Sequence, residues 1–293
     1  MEDKLNQLHK THHGVVVPVV TPITDKFELD EPALRKVIDY LIDGGVQGIF
    51  VLGSNGEGPS IPRAMRARIV HLAMEQVKGR TRVYAGILDN SSIDAVASAK
   101  EYLRMGVSAV VAQLPNYFTL SPDEQFRYFA GLIERIQGPI LLYEIPATVH
   151  MSFDLAVIEH LRAFSNVVGV KDSSGNVERV TALLDAYSDD PAFSVLVGTS
   201  GLYSFGLRHG ADGIVPGIAN LEPALCTRMY AAALTGDWSL MGELQGELDK
   251  VARGFLVPEY MGQTVARLKW RMSQRGLCGP TVFPPLVTVN GLE

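Results

Sequence analysis

The chain has 293 residues, 47% of them hydrophobic and 20% charged, which is enough to bury one large core and ordinary for a soluble α/β enzyme. Its net charge of -6 argues against a general nucleic-acid or membrane-surface binder, which needs a basic face, and no apolar run approaches the roughly 20 residues of a membrane helix. Two cysteines, Cys226 and Cys278, lie far apart without CxxC spacing, so neither a disulfide framework nor a zinc site is expected, and a reducing cytoplasm is the expected location.

In chain order, residues 1–13 lack the apolar core of a signal peptide and read as a short solvated arm, in which His9, His12 and His13 are expected to do nothing. Gly14 to Pro22 is a first apolar strand. Residues 30–43 then switch period: Leu34, Val37, Ile38, Leu41 and Ile42 fall on one helical face, with Asp30 as N-cap and Gly44-Gly45 as the stop. Further strands are predicted at 47–52, 82–87, 108–113, 140–144, 166–170, 193–197 and 212–215, with helix-period segments between them. Ser121-Pro122-Asp123-Glu124 has the pattern of a capping box, and Phe126, Phe129, Ile133 and Ile136 supply that helix's apolar face.

Eight strands, each followed by a helix, within about 220 residues predict a (β/α)8 TIM barrel. An open doubly wound sheet would want a nucleotide fingerprint after its first strand, and none is there. Helical pattern continues through 219–235, 238–252 and 259–275, followed by a Pro-rich extended stretch from Gly279 to Pro285. The expected organisation is an arm (1–13), a barrel (14–235), and a C-terminal helical extension with a tail (236–293).

In this architecture, polar residues at the carboxyl ends of strands are the site candidates. The second strand runs into Gly53-Ser54-Asn55-Gly56-Glu57-Gly58, which reads either as an anion cradle of backbone N–H groups or as an ordinary glycine turn. The fifth ends in Tyr143-Glu144-Ile145-Pro146, where the phenol serves as a proton relay or simply packs. Tyr117, after the fourth strand, has the same ambiguity. The sixth runs from Asn166 to Val170 straight into Lys171. A buried ammonium is costly, so Lys171 is either paired, with Asp172 for example, or a neutral amine able to attack a carbonyl.

Together, Gly-Ser-Asn-Gly-Glu, Tyr-Glu-Ile-Pro and Val-Lys-Asp-Ser-Ser-Gly, in this order on these strands, resemble the dihydrodipicolinate synthase / N-acetylneuraminate lyase superfamily of class I aldolases. The resemblance spans Gly14 to about Pro285. It implies a lyase without cofactor or metal, in which Lys171 forms a Schiff base with pyruvate or another 2-keto acid and Tyr143 shuttles protons. It further implies that Ser54 and Asn55 seat the keto-acid carboxylate, with Ser173 and Gly217 in the substrate-binding set, and that Tyr117 reaches into a neighbouring subunit's site within a homotetramer.

Departures from the family's patterns narrow the substrate. Thr148 stands where dihydrodipicolinate synthases place an arginine, and a hydroxyl cannot replace a bidentate guanidinium. Gly198 is followed by Thr199, Ser200 and Gly201 rather than by the acidic pair of sialic acid lyases. The favoured reading is a 4-hydroxy-2-oxoglutarate or 2-keto-3-deoxy sugar-acid aldolase that releases an aldehyde. The alternatives are dihydrodipicolinate synthase, or a keto-acid dehydratase or hydratase-aldolase of the same chemistry. Glu144, Thr148, His150 and Thr199 are the candidates for contacting the variable end of the substrate. A binding-only barrel would tolerate loss of Lys171, and a pyridoxal-phosphate enzyme would want a phosphate cup that the sequence does not show.

Overall fold

The computed structural model describes residues 10–291. Eight parallel strands close into a barrel in chain order: β1 (Gly14–Pro18), β2 (Gly48–Val51), β3 (Arg82–Gly86), β4 (Ala109–Gln113), β5 (Ile140–Glu144), β6 (Val167–Asp172), β7 (Ser194–Val197) and β8 (Gly213–Ile214), which pairs back to β1. The TIM barrel expected from the repeating periods is therefore what forms. Its strands are apolar on both faces because one face fills the barrel and the other is covered by helices.

The helices are α1 (Glu31–Asp43), α2 (Arg63–Val77), α3 (Ser92–Arg104), α4 (Pro122–Ile133), α5 (Pro146–Val149), α6 (Leu155–Leu161), α7 (Val177–Tyr187), α8 (Tyr203–Arg208) and α9 (Pro223–Thr235). Helix α1 starts where Asp30 accepts a hydrogen bond from the Ala33 N–H (3.0 Å), and it buries Leu34, Val37, Ile38 and Leu41. Helix α4 starts with the capping box: Ser121 Oγ accepts from the Glu124 N–H while Glu124 Oε2 accepts from the Ser121 N–H (2.8 Å).

Past the barrel, α10 (Trp238–Ala252) packs along α9 and α8, and α11 (Met261–Gln274) crosses back toward the barrel mouth. The stretch after α11 is extended, but Val282 and Phe283 are buried, so it is a packed cover rather than a loose end.

The expectation of a solvated arm fails at its inner end, and His9 lies outside the described residues. Lys10 is buried across the amino-terminal end of the barrel, where its ammonium donates to the Tyr187 and Phe193 carbonyls (2.9 Å each) and to Asp212 (3.0 Å). His12 is also buried, with Nδ1 3.1 Å from the Tyr84 hydroxyl. A buried cation needs several acceptors, and the starts of the strands supply them. These residues plug the lower end of the barrel.

Candidate active site

Strand alternation decides what faces the barrel's interior. Gln113, Tyr143 and Lys171 are Cα partners across β4, β5 and β6, so their side chains share one face. Lys171 Nζ lies 3.7 Å from the centroid of the Tyr143 ring and 5.2 Å from that of Phe50, so these three inward residues meet. Successive residues turn the other way. The Asp172 carboxylate accepts from Arg179 Nε at 2.9 Å and from the Ser174 N–H and hydroxyl, and it is sealed among the helices outside the barrel. Asp172 is therefore not the partner of Lys171. The lysine sits on aromatic faces inside the barrel, with only 4% of its surface exposed.

The residues around it converge. Ser54 Oγ is 3.3 Å from the Tyr143 hydroxyl, linking the β2 turn to β5 across the mouth. A side chain at Gly198 would collide with Ser173 Oγ and come within 3.0 Å of Lys171 Cε; only a glycine lets the lysine stem and that hydroxyl share the space. Gly217, in the tight turn Gly217–Asn220, admits the Asn55 amide in the same way. Ser54 thus meets Tyr143, Ser173 meets the Lys171 stem at Gly198, and Asn55 meets Gly217, all at the carboxyl end of the barrel.

The glycine turn is held from behind. Leu52 and Glu57 both have φ of 58°, a left-handed conformation costly for any residue with a Cβ, and they bracket the turn. Glu57 is fully buried and paired with Lys269 of α11 at 2.8 Å, while its other oxygen accepts from the Phe283 N–H (2.6 Å). Lys269 also donates to the Thr21 carbonyl (2.9 Å), and the Thr21 hydroxyl donates to Gly56 (2.7 Å). An ion pair with its remaining donors and acceptors matched survives burial. The C-terminal helices therefore brace the turn beside Lys171.

Other candidates land elsewhere. Glu144 does not face the pocket. It points outward with Asp172, fully buried, accepting from the Phe153 N–H (3.2 Å) with Arg179 3.8 Å away, and burial pushes its carboxyl above the ordinary range against the pull of Arg179. Thr148 is half-buried and turns its hydroxyl back to the Ile145 carbonyl (3.4 Å), and His150 is exposed at the end of α5. Thr199 is half-buried beside Gly175. Tyr117 is 80% exposed against the Phe118 ring, outside the cluster around Lys171. Among the described residues, no group of three or more His, Cys, Asp or Glu side chains could hold a metal.

Phe50, Gln113 and the Glu57–Lys269 pair are the site residues that sequence reasoning missed. Phe50 sits in a strand apolar on both faces, where polarity does not betray which residues point inward, whereas Gln113 is a polar residue at the carboxyl end of its strand and is open to the same reasoning as Tyr143. Lys269 lies inside a helix, and only its tertiary neighbour gives it a role.

The profile of the dihydrodipicolinate synthetase family matches residues 11–292. The 4-hydroxy-tetrahydrodipicolinate synthase of Bartonella bacilliformis is 30% identical over 279 residues, covering 94% of this chain and 92% of that one. The enzyme of the same name from Methanothermobacter thermautotrophicus is 29% identical, covering 90% of this chain and 94% of its own. The solved structure of dihydrodipicolinate synthase from Bacteroides thetaiotaomicron superposes with a TM-score of 0.91 at 30% identity, over 96% of this chain and 95% of that one. With the barrel, the strand-end lysine and full-length similarity all in agreement, the chain belongs to the dihydrodipicolinate synthetase family, whose members are Schiff-base lyases of the aldolase type.

Proposed function

We propose that the chain is a class I aldolase that cleaves a hydroxylated 2-keto acid into pyruvate and an aldehyde, with Lys171 as the Schiff-base lysine. One observation carries this reading: Lys171 lies in the pocket against Tyr143 while the adjacent carboxylate, Asp172, is committed to Arg179. No carboxylate pairs with Lys171 among the described residues, whereas a merely structural buried lysine would be expected to have one on its own face.

In this reading, the Lys171 amine attacks the keto carbon, the carbinolamine loses water, and a protonated imine remains. The substrate's C4 hydroxyl then gives up its proton as the C3–C4 bond breaks, its electrons flow into the imine to leave an enamine, and the aldehyde departs. Protonation of the enamine carbon and addition of water release pyruvate and free Lys171. Tyr143, with Ser54 beside its hydroxyl, moves the protons. The turn at Ser54 and Asn55, with Gly217 behind it, seats the carboxylate, and Ser173 reaches the chain beyond the keto carbon. Tyr117 contributes from a neighbouring copy in a homotetramer, consistent with its exposure here.

A second reading, condensation of pyruvate with aspartate semialdehyde, is favoured by the names of the relatives and opposed by Thr148, which offers no guanidinium for a second carboxylate. A dehydratase of the same Schiff-base chemistry is a variant of the main reading.

The test is to incubate the protein with pyruvate, reduce with borohydride and map the added mass. An adduct confined to Lys171, absent in Lys171→Ala, is expected. A folded protein without an adduct would sink the proposal. Aspartate semialdehyde and a panel of hydroxylated keto acids then separate the two readings by which of them is turned over.

A further inference from the structure

Gln113 ends β4 on the same face as Tyr143 and Lys171, yet the reaction proposed above makes no use of it. It is 8% exposed, and its Oε1 has no hydrogen-bond partner among the described residues. An unpaired amide oxygen inside a barrel is costly, and a position that served only packing would favour leucine or valine. Because the two ends of a carboxamide are told apart only by their partners, the unpaired end accepts or donates according to what arrives.

Most of the cations on the loops at this end of the barrel are already committed, although Lys26 after β1 is exposed and makes no ion pair among the described residues. Arg63, Arg66, Arg179 and Lys269 are each engaged by a carboxylate, namely Asp94, Asp89, Asp172 and Glu57. Lys171 is consumed by the Schiff base. A second substrate carboxylate would meet none of these cations free, whereas a hydroxyl would satisfy a neutral amide.

We infer that Gln113 is a specificity-determining residue which hydrogen-bonds a hydroxyl beyond the keto carbon, so that the substrate class is 2-keto acids with an uncharged, hydroxylated tail rather than dicarboxylates. This rests on the Schiff-base reading. A pocket built to pair a substrate hydroxyl discriminates against the analogue lacking it, because its own polar atom is then left unpaired.

The experiment is competition against isotope-labelled pyruvate for borohydride trapping on Lys171, quenched before turnover and read by adduct mass so that pyruvate released by cleavage is told apart, using 2-oxohexanoate and 2-keto-3-deoxygluconate, which have equal chain length, and 4-hydroxy-2-oxoglutarate as the dicarboxylate. In the wild-type protein, 2-keto-3-deoxygluconate should compete about tenfold better than 2-oxohexanoate, and better than the dicarboxylate. Gln113→Leu should erase the first preference, read as the ratio of the two competitors within the same variant; Gln113→Met, closer in shape, carries the same test if the leucine variant does not fold. The inference is overturned if the wild-type protein shows no such preference, if it prefers the dicarboxylate, or if both variants keep the preference. Absence of any pyruvate adduct in the wild-type protein is a different result: it removes the Schiff-base reading, and this inference with it.

Discussion

At Lys171 and Asp172 a strand's two-residue period assigns two adjacent polar residues to different tasks. One faces the pocket, and the other anchors the strand to Arg179 from outside. A second residue whose fate depends on its neighbours is His12. Burial, reinforced by Arg82 and His13 nearby, pushes its imidazole down to about 4. The unfolded chain takes up that proton below about pH 6.5 and the folded chain does not, so the stability His12 contributes is present above 6.5 and lost as pH falls toward 4. Asp212 works in the opposite sense, because burial raises its carboxyl despite Lys10. Comparison with His12→Gln isolates the histidine's share. The expected outcome is a thermal midpoint that falls more steeply between pH 7 and 4.5 in the wild-type protein than in the variant; parallel slopes would refute it. The sequence identified Lys171 because a lysine directly after the apolar run Val167 to Val170 is anomalous. It misplaced His12 because polarity in a terminal segment carries no trace of the acceptors that bury it.

Among the elements, the turn from Gly53 to Gly58 depends most on distant chain. Its left-handed Glu57 is held by Lys269, more than two hundred residues away. Removing one partner strands a buried charge, so Lys269→Met should destabilise the protein by about 3–5 kcal/mol in urea unfolding. Replacing both residues with apolar ones of similar volume should recover much of that loss while still weakening pyruvate binding, since the turn loses its brace. Full recovery of binding in the double variant would show that the pair does not position the turn. Elements of this kind are legible in outline only. Strands, helices and caps follow from local period and capping chemistry, as at Asp30 and Ser121. Which face of each strand points inward is set by the closure of the barrel, and Phe50 was hidden for that reason, whereas Gln113 carried the signal of a polar strand end.

For the whole molecule, Tyr117 and Phe118 are large, exposed aromatics on the loop after β4. If Tyr117 completes a neighbour's site, sedimentation should show a dimer or tetramer. Tyr117→Ala should then lower turnover by about a hundredfold while Lys171 still forms its adduct with pyruvate. A monomer with full activity would end that proposal.

With Lys10 and His12 buried at the amino-terminal end of the barrel, approach to Lys171 runs, among the described residues, through the mouth at the carboxyl ends of the strands. Traffic through it acquires an order. If Lys171 holds pyruvate as its Schiff base, as proposed, then in cleavage the aldehyde leaves before pyruvate, and in the reverse direction pyruvate has to be aboard before an aldehyde can follow.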